Sequence, residues 1–272
     1  MPEANIDAYF ARIGYAGART PTLQTLAGIH LCHPQAIAFE HLDQLLKRPC
    51  SLDLEALERK LVHDRRGGWC FEQNLLLSGI LQALGFGVTG LLARVLWNRT
   101  SEGVPARSHM LLRIDGLEGG PHIADVGFGG LTLTGPLRLV TDLEQTTPHE
   151  RFRLVDRDGI FVLQVLLRDD WKPLYSFDLQ PQVQADYEVP HWFLANHPGS
   201  PFANRLMMAR VTEERRYGLL NNRLSIHHLH GDSEHVTFTD ANQLRQVLES
   251  TFGIQLPDDP GLPALLQRIV TS

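Results

Sequence analysis

Hydrophobic positions in this chain change their period twice. Up to Gly85 they recur at helical spacing. Ser51 reads as a cap with Asp53 and Glu55 in the first turn, and Leu54, Leu57 and Leu61 come next at i, i+3 and i+7. Thr20-Pro21 reads as another helix start, with Thr20 capping and Pro21 in the first helical position. A third helix is expected from near Cys70, with Leu77, Ile80, Leu81 and Leu84 on one face and Gly85 as its stop.

From Phe86 the pattern is that of strands. Residues 88–97 form an apolar run suited to a buried strand. Residues 108–114 alternate, with Met110, Leu112 and Ile114 on one face and His109, Leu111 and Arg113 on the other. Asp115-Gly116 turns the chain and 122–126 is a further short strand. Residues 152–155 and 160–167, joined by Asp158-Gly159, read as a hairpin, and 171–177 continues the meander. The remainder is mixed. An aromatic, proline-rich loop spans 191–202, strand-like runs cover 206–211, 223–227 and 235–238, and Asp240 with Gln243 opens a helix that Gly253 ends. Glu213-Glu214-Arg215-Arg216 reads as a solvated turn. Three regions are expected, 1–85, 86–186 and 187–272, and no internal repeat is seen.

Composition narrows the class. The chain has 272 residues, 43% hydrophobic and 21% charged, which is globular usage and excludes a disordered protein. A net charge of −6 argues against nucleic-acid binding, although a local basic patch can still hold an anion. No apolar run approaches the ~18 residues of a membrane span, and the first residues lack a signal peptide's basic start and apolar core. Cys32, Cys50 and Cys70 make no disulfide framework, so reduced thiols and a cytoplasmic location are expected.

The chemistry concentrates in Arg66-Gly67-Gly68-Trp69-Cys70-Phe71-Glu72-Gln73-Asn74. Two glycines allow a tight turn, and the helix after it places Cys70 at its N-terminus, where free amides and the helix dipole favour a thiolate. The alternative is a small buried hydrophobe. A nucleophilic cysteine needs a base, and the base needs an orienting group. His109 and Asp125 lie on successive predicted strands, and a carboxylate in an apolar strand needs a partner. The order Cys, His, Asp is that of a papain-like triad. His122 is the rival base, three residues from Asp125 and on the opposite strand face. His30, Cys32 and His33 have loose metal-ligand spacing but no second ligand pair, and His227, His228 and His230 read as surface or core histidines, so no metal is expected. Cys32 and Cys50 read as structural. Gly127-Phe128-Gly129-Gly130 has Thr132 where a dinucleotide fingerprint has its third glycine and lacks a Walker lysine, so it does not signal a nucleotide-binding fold.

Together the cysteine motif, His109, Asp125-Val126-Gly127-Phe128-Gly129, Ile37-Ala38-Phe39-Glu40-His41 and His197-Pro198-Gly199-Ser200-Pro201-Phe202 resemble the arylamine N-acetyltransferase family. The family usually has Ile-Pro-Phe-Glu-Asn, so Ala38 and His41 are departures. The resemblance implies an α+β, papain-like core: a helical bundle carrying the cysteine, a β-barrel carrying His109 and Asp125, and an α/β lid. It implies acetyl-CoA as acyl donor with no tightly bound cofactor, and ping-pong transfer through acetyl-Cys70 to arylamines, arylhydroxylamines or hydrazines, as in xenobiotic metabolism. It also implies an acceptor pocket lined by Phe39, Val95, Phe128 and Phe202, a CoA-contacting turn at Gly127, Gly129 and Gly130, and a bracing pair, Arg66 and Glu40. Partners are then small molecules, with no nucleic acid and no membrane, and an assembly of identical chains is left open. The same triad could serve a thiol hydrolase, a transglutaminase-type enzyme or an amide synthase, and a non-catalytic binding domain is the third class.

Overall fold

A computed structural model describes residues 4–99 and 102–271. Helices α1 (Ile6–Ile13), α2 (Leu23–Ala36), α3 (Leu42–Leu45), α4 (Leu54–Glu58) and α5 (Cys70–Ala83) come first. The caps differ from expectation. Thr22, not Thr20, caps α2, its hydroxyl accepting from the Thr25 amide. Asp53, not Ser51, is the cap residue of α4, while the Ser51 hydroxyl accepts from the Asp53 amide. The i, i+3, i+7 stripe then spans a π-helical turn at Arg59–His63, which continues α4 and still buries Leu57 and Leu61. Gly85 ends α5 as expected, at φ +89°.

The strands β1 (Gly87–Val95), β2 (Arg107–Asp115), β3 (His122–Ala124), β4 (Leu137–Arg138), β5 (Gln145–Thr146), β6 (Arg151–Arg157), β7 (Ile160–Leu167) and β8 (Asp170–Phe177) form one sheet in the order β4-β3-β2-β1-β8-β7-β6-β5. Its pairs are antiparallel, and a bridge between Thr141 and Leu154 draws the two ends toward closure, giving a nearly closed barrel. Both faces of β2 are buried. Met110, Leu112 and Ile114 pack on the helices, whereas Leu111 packs inside the barrel with Ile123, Leu163 and Tyr175. The alternation read from sequence therefore separates two cores rather than core from solvent.

The chain continues through α6 (Gln184–Asn196), α7 (Pro201–Asn204), β9 (Met207–Val211), β10 (Arg215–Leu220), β11 (Arg223–His228), β12 (Glu234–Thr237), α8 (Ala241–Ser250) and α9 (Leu262–Val270). Strands β9 to β12 form an antiparallel sheet covered by α8 and α9. Two expectations fail here. Residues 191–202 are not a loop throughout. They include the second half of α6, whose Tyr187 and Leu194 join the helical core, and the start of α7. Arg215-Arg216 is not a solvated turn but the start of β10, and Arg216 is 5% exposed. Charge alone hid that strand, because its polar residues find buried partners. Asp240 caps α8 as expected, accepting from the Asn242 and Gln243 amides.

The segment 38–40 joins the pieces. Phe39 exchanges backbone hydrogen bonds with Ala209 of β9, and on either side of it Ala38 and Glu40 bond the backbone of Gly68. The turn before Cys70 is thereby stitched to the sheet of β9–β12.

Candidate active site

The turn at Gly67-Gly68 has no room for side chains. A Cβ on Gly67 would lie 2.3 Å from the Ala38 carbonyl, and one on Gly68 would lie 2.9 Å from Glu72 Oε2. Glu72, in the first turn of α5, accepts from the Trp69 amide at 3.1 Å, capping the helix one residue before Cys70. Around this turn lies a buried charge cluster. Arg66 donates to Glu40 (2.7 Å) and Asp43 (3.2 Å), and Lys60 sits 2.7 Å from both Asp43 and Glu72. Burial disfavours both cations, but the surrounding carboxylates outweigh it and raise their pKa values. The Arg66–Glu40 pair is thus present as expected. The Cys50 thiol donates to Glu72 at 3.1 Å, and burial pushes its pKa up, as suits a structural thiol.

Cys70 and Asn74 lie one helical turn apart on α5. Asn74 donates to the Met110 carbonyl (2.8 Å) and to Asp125 Oδ1 (3.0 Å), and accepts from the Val126 amide (3.1 Å). It ties the helix to the strand register that delivers His109 and Asp125. Sequence reading did not single it out, although its i+4 spacing from Cys70 was the available signal. His109 lies on β2, and Asp125 comes just after the last residue of β3 rather than lying within it. His109 Nε2 is 2.7 Å from Asp125 Oδ2, with both side chains buried. The Cys70 sulfur lies 3.9 Å from the carbonyl of Ser108, the residue before His109. Burial opposes the charged ring, but the Asp125 charge and hydrogen bond, with a smaller contribution from Cys70, push its pKa up to about 10. Burial likewise opposes the Asp125 carboxylate, and His109, Asn74 and the Gly127 amide bring its pKa below the usual carboxylate value. The rival His122 bonds the Gly120 carbonyl instead.

His30 and His33 serve as hydrogen-bonding residues. His30 Nε2 accepts from the Asp125 amide (3.0 Å), and His33 bonds Tyr9 and Gln73. Among the described residues, no cluster of three His, Cys, Asp or Glu side chains suits a metal ion, and no helix is long and apolar enough to cross a membrane.

A cleft of about 1400 Å³ opens above Cys70 and His109. Phe39, Val95, Phe128 and Phe202, the residues expected for an acceptor pocket, all line it. So do Gly127 and Gly130. Gly129 does not, because its backbone, at φ +89°, turns it against Phe39. Of the two departures, Ala38 keeps its carbonyl on the Gly68 amide. His41 Nε2 accepts from the Met207 amide at 3.1 Å, and its ring packs edge-on to Phe202 at 5.1 Å.

A helical unit with its cysteine at a helix start, packed on a barrel that brings a histidine and an aspartate to one cleft, defines a protein of the α+β, papain-like class. A family model described as N-acetyltransferase matches residues 22–260. The chain is 41% identical over 261 residues to an arylamine N-acetyltransferase of Mycolicibacterium smegmatis, covering 94% of each chain. It is also 41% identical to an arylamine N-acetyltransferase of Escherichia coli, over 93% of this chain and 90% of that one. The solved structure of a Mycobacterium marinum arylamine N-acetyltransferase in complex with CoA superposes with a TM-score of 0.92 at 39% identity, over 97% of this chain and 99% of that one. The chain belongs to the arylamine N-acetyltransferase family and is an acyltransferase.

Proposed function

We propose that the chain moves an acetyl group from acetyl-CoA to an arylamine, arylhydroxylamine or hydrazine through an acetyl-Cys70 intermediate. Acetyl-CoA as donor is supported by the CoA complex of the M. marinum relative, and an arylamine acceptor by the relatives' shared description. The observation that carries the mechanism is the buried His109–Asp125 pair at 2.7 Å, in the same cleft as Cys70, with the ring's pKa pushed up to about 10.

In the first half, the Cys70 sulfur attacks the thioester carbonyl while His109 holds the thiol proton. The tetrahedral oxyanion collapses, the bond to the CoA sulfur breaks, and the leaving thiolate takes that proton. Amides of Cys70 and Phe71 at the start of α5 supply the oxyanion's hydrogen bonds. In the second half, the amine nitrogen attacks acetyl-Cys70, loses a proton to His109, and the restored Cys70 sulfur leaves. Asp125 fixes the ring's tautomer throughout. One thioester is exchanged for another of similar energy, so the acetyl group remains activated, and the Phe39, Phe128 and Phe202 side chains keep water from hydrolysing it.

Intact-mass analysis after mixing with acetyl-CoA tests this reading. One acetyl group should appear on Cys70 and disappear on addition of an aromatic amine, with the acetylated amine as product. Loss of the acetyl group without amine would instead make the protein a hydrolase, and no adduct would remove Cys70 from the mechanism.

A further inference from the structure

Arg216 stands at the start of β10, across the cleft from Cys70, and is almost wholly buried. Its guanidinium has four partners. Nε and Nη2 each lie 2.6 Å from a Glu150 oxygen, Nη2 donates to the Thr132 carbonyl at 3.0 Å, and Nη1 donates to the Gly130 carbonyl at 3.3 Å. The last two anchor the glycine loop that begins at Gly127. Within that loop the Thr132 amide bonds the Gly129 carbonyl, and the Thr132 hydroxyl donates to the Asp125 carbonyl. The carbonyls of Gly129, Gly130 and Thr132 are therefore all occupied by protein donors. At its other end Gly127 packs on the nucleophile itself, where a Cβ would lie 2.6 Å from Cys70 Cα. The loop is pinned between the reacting cysteine and a cation from a different sheet.

Two of the loop's amides are occupied as well, Gly127 donating to Asp125 Oδ1 at 3.0 Å and Phe128 to the Thr132 hydroxyl at 3.3 Å, which leaves those of Gly129 and Gly130, and at Gly130, which lines the cleft, nothing lies within 4 Å of where a side chain would begin. Backbone amides arranged this way suit an anion. The Arg216 charge, in contrast, is already matched by Glu150 through two hydrogen bonds, and so acts on the loop rather than on a ligand. We infer that Arg216 is a positioning residue that holds the Gly127–Gly130 loop in the form that receives the pyrophosphate of an acyl-CoA donor. This rests on the acetyl-Cys70 reading given above.

The test compares two acetyl donors, acetyl-CoA and p-nitrophenyl acetate, which has no phosphate. In Arg216→Met, KM for acetyl-CoA should rise, and kcat/KM for acetyl-CoA should fall roughly 10- to 100-fold more than for the ester, the range expected for lost hydrogen bonds to a charged group. Arg216→Lys should behave the same way, because an ammonium cannot span two carbonyls and two carboxylate oxygens. Arg216→Met combined with Glu150→Met removes the carboxylate stranded by the single change and should show the same selective loss. Equal losses with both donors, full recovery in Arg216→Lys, or normal use of acetyl-CoA by the double variant would overturn the inference. If the unsubstituted protein forms no acetyl-Cys70 with either donor, it is the underlying reading that fails.

Discussion

Replacing Asp125 by asparagine changes one atom, and the hydrogen bonds around it dictate the consequence. Asp125 Oδ1 accepts from Asn74 Nδ2 and from the Gly127 amide, both at 3.0 Å, while Oδ2 faces His109 Nε2 at 2.7 Å. An asparagine NH2 in the Oδ1 place would meet two donors and leave both unsatisfied, at about 1–3 kcal/mol each. The NH2 therefore turns to His109, whose Nε2 must accept, and the ring's single proton moves to the nitrogen that faces Cys70. To take the thiol proton, the ring would then have to become a buried cation without a carboxylate. His30 and His33 show what burial does in this protein, lowering their pKa values to about 4 and about 3. A ring in that range is charged in only about one molecule in 10³ to 10⁴ at pH 7. Acylation should slow by a similar factor, close to the ~10⁴ lost when the aspartate of a serine triad is so changed. The burst of p-nitrophenol on mixing with p-nitrophenyl acetate reports acylation, and near-UV circular dichroism checks the fold. A burst rate within tenfold of the unsubstituted protein, with the fold intact, would refute Asp125 as the orienting group.

Cys70→Ser should keep the fold and lose the acetyl adduct in intact-mass analysis, because an alcohol is far harder than a thiol to hold ionised beside an imidazolium. Gly127→Ala should destabilise the protein by about 1–3 kcal/mol in urea titrations and slow acylation on the order of 10²-fold, since the added carbon meets the Cys70 backbone, which cannot swing aside. The acylation rate should decline as pH rises through about 10, where the His109 ring loses its proton. Stability has the same sign. The folded pKa lies above the unfolded value of about 6.5, so the ring's contribution is full below that value and is lost by about pH 10. Urea midpoints between pH 6 and 10.5 should fall over that window, and Asp125→Asn should flatten the fall.

How much of the fold and site was legible in the chain depends on the range of the interactions involved. Local signals mostly served, although two helix caps fell two residues later than read, at Thr22 and Asp53. The stop at Gly85, the Asp240 cap, the hairpin through Asp158-Gly159 and the alternation of residues 108–114 all concern neighbours in sequence, and the structure contains each of them. The glycine pair before Cys70 was also readable, because the turn leaves no room for a Cβ. Signals settled by distant partners were not. Arg216 looked solvated because Glu150 and the Gly130 carbonyl approach it only in the folded barrel. Residues 191–202 looked like a loop because their prolines outweighed a helical face whose partners, such as Phe71, Trp69 and the Cys50 carbonyl around His191, come from distant parts of the chain. The π-helical turn at Arg59–His63 left no mark in the pattern, yet it is where Lys60 reaches Glu72.

The hardest choice in the sequence was among thirteen histidines, and electrostatics explains why, of the four most deeply buried rings, His30, His33, His41 and His109, only the last suits a base. All four share an interior where burial acts against a charged ring. For the first three it prevails, and their pKa values fall to about 4, 3 and 3. None of them hydrogen-bonds a carboxylate. His30 accepts from the Asp125 backbone, His33 bonds a phenol and an amide, and His41 accepts from a backbone amide. His109 meets the Asp125 carboxylate directly and its pKa moves the other way, to about 10. Burial makes a histidine in this core neutral by default, and one buried carboxylate reverses that at the ring proposed as the base. The same carboxylate is built into the protein through the Asn74 side chain and the Gly127 amide. Its hold on the ring therefore depends on α5 and the glycine loop, the two segments that also place the Cys70 sulfur in the cleft.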